Sequence, residues 1–127
     1  MLDKTHIKNL LNDPTLLTNQ AYVNGKWIDA PDGKTFEVKN PARGDVIATV
    51  PDLDEVVTRE AIEAAEVAQK SWAAKPAKEK HRIMRAFFRL MMENQDDLAT
   101  ILTAEMGKPL AESKGEIAYA ASFIEWF

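Results

Sequence analysis

The sequence predicts a small antiparallel β meander followed by three to four α-helices, an arrangement that looks α+β over this stretch. Three observations carry this expectation. Asn24-Gly25 stands between Tyr22-Val23 and Trp27-Ile28, and a two-residue hairpin turn needs positive φ at both central positions, which Asn and Gly tolerate. The chain changes character once, near Pro51, with strand-like alternation and turn residues before it. Beyond it, apolar residues recur at three- and four-residue spacing, the period of a helix with one wet face.

Residues 1–19 read as an N-terminal arm. Ile7, Leu10 and Leu11 lie at helical spacing ahead of Asn12-Asp13-Pro14, which predicts a brief helix or a loosely held segment. Strands are expected over about 20–50. Asp32-Gly33 marks a second turn, and Phe36 and Val38 alternate with Glu37 and Lys39 as in a half-buried strand. The run 40–45 (Asn-Pro-Ala-Arg-Gly-Asp) is a turn, and 46–50 is a short apolar strand ended by Pro51.

Helices are expected over about 52–127. Asp52 suits the first N-cap, with Glu55 completing a capping box. Val57, Ala61, Ala64, Ala65, Ala68 and Trp72 form one face, and its alanines suggest close approach of a neighbour. Pro76 suits the first turn of the next helix. There Ile83, Phe87, Leu90 and Met91 make a stripe, with Lys80, Arg82, Arg85 and Arg89 on the wet side. The polar run 93–97 predicts a break. Leu98, Ile101, Leu102 and Met106 then resume a stripe as far as Gly107, well placed as a left-handed C-cap before Pro109.

The last helix starts near Leu110, with Ile117, Ala120, Ala121 and Ile124 on one face. Tyr119, Phe123, Trp126 and Phe127 cluster beside them, either as core or as the wall of a pocket. This stripe reaches Phe127 without a terminating residue, so the chain is expected to be the first part of a longer one.

Composition narrows the chemistry. The 127 residues allow one compact domain, with 46% hydrophobic and 28% charged residues as in ordinary soluble proteins. A net charge of −4 argues against a nucleic-acid surface, and there is no basic amphipathic helix for a membrane face. No apolar run is long enough to cross a bilayer, and the first six residues are too polar for a secretory signal, so a cytoplasmic protein is expected. With no cysteine, the chain carries neither a disulfide nor a thiol nucleophile.

Neither Gly-x-Gly-x-x-Gly nor a P-loop motif occurs, so no cofactor-binding residue is assigned. His6 and His81 stand alone, and no metal site is assigned. Glu112 and Glu116 read as a solvated acidic face pairing with Lys114 and Lys108. Lys108 itself reads as a cation complementing a helix C-terminus.

Several segments nevertheless match one family in order and spacing. Tyr22-Val23-Asn24-Gly25-Lys26-Trp27, then Asn40-Pro41-Ala42-Arg43-Gly44, then Glu105-Met106-Gly107-Lys108-Pro109 resemble the "I-N-G-x-W", "N-P-A-x-G" and "E-x-G-K-P" segments of aldehyde dehydrogenases. The stretches 90–99, 110–117 and 119–127 resemble the succinate-semialdehyde branch, and relatives acting on glutarate semialdehyde are similar here.

The resemblance implies an α/β parent that oxidises succinate semialdehyde to succinate. In that chemistry a cysteine thiolate attacks the aldehyde, hydride passes to NAD or NADP, and water activated by a glutamate hydrolyses the thioester. It also implies that residues 20–127 are the N-terminal part of the cofactor-binding domain, cut before its parallel sheet. The nucleophile, base and cofactor contacts would lie further along, so no catalytic residue is assigned and this stretch alone is expected to be inactive. Phe123, Trp126 and Phe127 become candidates for the aldehyde entrance. The implied partners are the remainder of the same polypeptide, a small aldehyde and further copies of the full-length protein. The rival from a different class is a self-contained helical module whose aromatic end docks a partner.

Overall fold

The structure, a computed structural model, describes residues 5–126, without the side chains of Thr5 and His6; Phe127 and the first four residues lie outside it. Strands β1 (Ala21–Val23) and β2 (Lys26–Ile28) pair antiparallel across Asn24 and Gly25, at φ 48° and 78°, as the turn chemistry requires. Tyr22 and Trp27 face each other across this ribbon, edge to face, 5.0 Å between centroids. Strands β3 (Thr35–Lys39) and β4 (Val46–Pro51) form a second ribbon.

The expected meander is therefore two separate ribbons, because β2 does not pair with β3. The linking segment turns sharply instead, with the Gly33 N–H donating to the Ala30 carbonyl at 2.9 Å. In β4 the pairing skips Ile47, which lies opposite no residue of β3. That bulge breaks the strict alternation and lets the consecutive residues Ile47 and Ala48 both be buried. On β3, Val38 is half-buried but Phe36 is exposed, so only part of the expected inner face is covered.

Helix α2 (Glu55–Ala74) begins at Asp54, not Asp52. The Asp54 carboxylate accepts from the Val57 N–H at 3.0 Å, three residues ahead, the reach an N-cap requires. Asp52 belongs to the ribbon, since its N–H donates to the Lys34 carbonyl. Glu55 pairs with Arg59 rather than closing a capping box. On the predicted face Val57 is buried, Ala61, Ala64 and Trp72 are half-buried, and Ala65 and Ala68 are exposed. Pro76 sits at the cap of α3 (Ala77–Glu93), one residue before the first turn.

On α3 the predicted stripe is displaced. Met91 is half-buried as expected, but Ile83, Phe87 and Leu90 are exposed, whereas Met84, Phe88 and Met92 are half-buried in their place. Helix α5 (Leu110–Trp126) packs on both α3 and α4 (Gln95–Met106) and selects which flank of α3 is covered. An amphipathic count places a stripe on a helix but not the neighbour that covers it.

The break at 93–97 is a single residue, Asn94, between α3 and α4. Gly107 ends α4 at φ 77°, its N–H donating to the Thr103 carbonyl at 2.9 Å. Along α4, Leu98, Ile101 and Leu102 are half-buried while Met106 is exposed.

The described part of segment 1–19 packs against the helices. Ile7 in the short helix α1 (Thr5–Lys8), together with Leu11 and Leu17, forms a buried cluster against Ile101 and Ala104 of α4. Beside it Asp97, also buried, accepts from the Asn12 N–H at 2.9 Å, the Asn12 side-chain amide at 3.0 Å and the Asp13 N–H at 2.8 Å. Those donors hold its carboxyl below the usual range, the Asn12 backbone N–H first and the Asp13 N–H next, against burial, which pushes it up.

Candidate functional site

Helix α5 carries two of the sequence-predicted site residues, Phe123 and Trp126, and side-chain contacts along its length fix its position. Near its start the Lys108 ammonium meets the Glu116 carboxylate. Lys114 pairs with Asp96 of α4 at 2.7 Å, not with the acidic residues on its own helix. The amide of Gln95 donates to the Lys114 carbonyl at 2.9 Å, and the hydroxyls of Thr103 and Ser113 lie 2.8 Å apart. Ser113 and Ala121 are fully buried, and these small side chains let α5 lie close to its neighbours.

At the far end Arg85 of α3 meets Glu125 at 2.5 Å, joining residues forty apart in sequence. The Arg85 guanidinium also lies over the Phe88 ring, 5.7 Å from its centroid.

Beyond this pair lies a hollow of about 370 Å³ lined by Ser122, Phe123, Glu125 and Trp126. Two of the three predicted entrance residues, Phe123 and Trp126, are brought together there, while Phe127 lies outside the described residues. Phe123 also stacks edge to face on Tyr119, centroids 4.8 Å apart. Tyr119, Phe123 and Trp126 are exposed, Trp126 to 82%, so the aromatic row is not core among the described residues. Such a surface gives shape and apolar contact. The Ser122 hydroxyl is engaged with the Tyr119 carbonyl at 2.7 Å.

Sequence reasoning missed Glu125 and Asp97 as partners of distant residues. Each sits in a run whose local pattern reads as solvated, and nothing within one helical turn signals a partner forty or more positions away.

The glycines among the described residues serve turns, a cap and a helix interior. Gly25, Gly33 and Gly44 hold positive-φ turns, Gly107 caps α4, and Gly115 lies inside α5. None stands at a strand-to-helix junction, where a pyrophosphate would approach bare backbone. The one such junction, from β4 into α2, holds Asp52, Leu53 and Asp54, and the Asp54 carboxylate already occupies the helix N-terminus.

A sequence model described as "Aldehyde dehydrogenase family" matches residues 27–127. The chain belongs to the aldehyde dehydrogenase family. It is 59% identical over 117 residues to a glutarate-semialdehyde dehydrogenase of Pseudomonas putida. It is 56% identical over the same length to an NADP-dependent succinate-semialdehyde dehydrogenase of Escherichia coli. Each alignment covers 92% of this chain and 24% of the relative, so the chain spans about a quarter of the length of these family members. The crystal structure of a succinate-semialdehyde dehydrogenase from Burkholderia pseudomallei superposes with a TM-score of 0.89 at 55% identity, over 91% of this chain and 24% of that one. The two ribbons and the helices following them are thus a partial α/β fold of this family. Among the described residues no helix is long and apolar enough to cross a membrane.

Proposed function

We propose that this chain is the N-terminal part of an NAD(P)-dependent dehydrogenase that oxidises an aldehyde bearing a carboxylate to the corresponding diacid. The substrate proposed first is succinate semialdehyde, giving succinate. Glutarate semialdehyde, one methylene longer, is the second reading, favoured by the 59% identity to a dehydrogenase of that name. The observation that carries the proposal is the high identity to enzymes of both names along nearly the whole chain.

In this reading residues 1–19 are the arm, and 20–127 begin the domain that holds NAD or NADP. No residue described here is assigned to the cofactor or to bond making. The chain's own contribution is to place α5, with Phe123 and Trp126 as apolar walls of the aldehyde entrance; Phe127 is assigned to the same entrance from the family resemblance alone. Exposed apolar side chains support a role inside a larger body: Val56, Ile62 and Val67 on α2, Ile83, Phe87 and Leu90 on α3, and the aromatic row on α5. The same polypeptide's remaining length is the proposed cover, in a cytoplasmic homo-oligomer.

The test is NAD(P)H formation by the purified full-length protein with succinate semialdehyde, glutarate semialdehyde and a cationic aldehyde. A kcat/KM highest for one of the two anionic substrates supports the reading; a preference for the cationic aldehyde overturns it. The 127-residue chain alone, lacking cysteine, is expected to give no turnover above the blank.

A further inference from the structure

Glu125 is the one ionisable side chain among those lining the hollow at the end of α5. An unpaired carboxylate there would repel the carboxylate of the substrate proposed above. The structure gives it a counter-ion: the Arg85 guanidinium reaches across from α3 to Glu125 at 2.5 Å and is steadied by the Phe88 ring behind it. Both charged side chains remain about half exposed, at 59% and 42%, so this pair adds little to stability. Its electrostatic effect on a nearby anion is another matter, because an unpaired carboxylate acts over roughly 8 Å at physiological salt.

We propose that Arg85 is a specificity-determining residue, which cancels the charge of Glu125 at the aromatic mouth so that an anionic aldehyde can enter. Arg85 touches neither substrate nor reacting atoms; it acts through Glu125. The inference rests on the functional reading given above and adds to it a named residue pair and a dependence on substrate charge.

The experiment uses the full-length enzyme with two substrates: the anionic semialdehyde it prefers, and butanal, an uncharged aldehyde of similar length. In Arg85→Met, KM for the semialdehyde is expected to rise about two- to tenfold at low salt, as one uncompensated charge several ångströms away implies. KM for butanal stays at the wild-type value, and the effect lies in KM rather than kcat. Added salt shrinks the increase. Arg85→Lys restores most of the wild-type KM, and the double variant Arg85→Met/Glu125→Gln returns it, because the repelling charge is gone. Glu125→Gln alone lowers KM for the semialdehyde, an outcome that does not depend on how the Arg85 variants fold.

Equal losses for the semialdehyde and butanal in Arg85→Met would mean a purely structural role and overturn the inference, as would a double variant no better than Arg85→Met. A wild-type enzyme that oxidises butanal but neither semialdehyde would overturn the functional reading and this inference together. Activity on a semialdehyde with KM unchanged in Arg85→Met would overturn this inference alone.

Discussion

Gly107→Ala tests how the second β ribbon is fastened to the helices. Gly107 closes α4 at φ 77°, and holding an alanine in the left-handed region costs about 1–2 kcal/mol. The added Cβ would lie 2.9 Å from Cγ of Pro41, closer than such carbons approach without something moving. Pro41 sits on a rigid ring in the 40–45 turn, which is tied by the Asn40 side chain accepting from the Ala42 N–H and by the Gly44 N–H donating to the Asn40 carbonyl. Relief therefore requires the turn to shift, adding about 1 kcal/mol by analogy with overpacked cores. The total is about 2–3 kcal/mol.

Gly115 gives the opposite sign for the same substitution. It lies inside α5 with nothing within 4 Å of an added Cβ and no positive φ, so Gly115→Ala should stabilise by about 0.5–1 kcal/mol. Urea unfolding followed by circular dichroism and tryptophan fluorescence measures both. With a slope of about 2 kcal/mol per M, the midpoint should fall by about 1 M in Gly107→Ala and rise by a few tenths in Gly115→Ala. A Gly107→Ala midpoint at or above wild type would refute both the left-handed cap and the Pro41 contact; a lowered Gly115→Ala midpoint would refute the open space around α5 at that position.

Two further predictions concern the arm and the aromatic end. Asp97 is ionised in the fold below its ordinary range, so its contribution to stability is complete above about pH 4 and is lost as pH falls through the lowered folded value. Protection of the Asn12 and Asp13 amides, taken relative to their intrinsic exchange rates, should fall in acid over that window, and Asp97→Asn should lower protection at Asp13 already at neutral pH; equal protection in the variant would remove Asp97 as the fastening of the arm. Trp126→Ala in the full-length enzyme should raise KM for the aldehyde or lower the melting temperature while leaving the nucleophilic step in place, and a variant unchanged in KM, kcat and stability would eliminate Trp126 as an entrance wall.

Much of the local structure was legible before any coordinates. Asn24-Gly25 and Gly107 each reverse or terminate the chain through backbone preferences that need no distant partner, and the polar run 93–97 marked the break between α3 and α4 without fixing its residue. The family was legible for a related reason, since its segments are themselves clustered turn and cap residues at set spacing. The site was less so. Phe123 and Trp126 could be nominated from the resemblance, but nothing in their spacing decided whether they would be core or wall.

Where the competition was between neighbours a residue or two apart, the sequence was ambiguous. Asp52 and Asp54 both precede α2, and only the closing of the β3–β4 ribbon, which engages the backbone of Asp52, left Asp54 to cap the helix. Likewise α3 is apolar on more than one side, and the arrival of α5 decided that Met84 and Phe88 are covered while Ile83 and Phe87 are not.

The sequence by itself determined the Asn24-Gly25 turn, the Gly107 helix end, the lack of a thiol in these residues and the family. The tertiary structure decided which carboxylates are partnered. Asp97 meets backbone N–H groups 84 and 85 positions away, and Glu125 meets a guanidinium forty positions away. Turn and cap energies are set by a few adjacent dihedral angles and are written locally. A long-range hydrogen bond or ion pair exists only after packing has brought its two ends within about 3 Å, a condition no local pattern encodes.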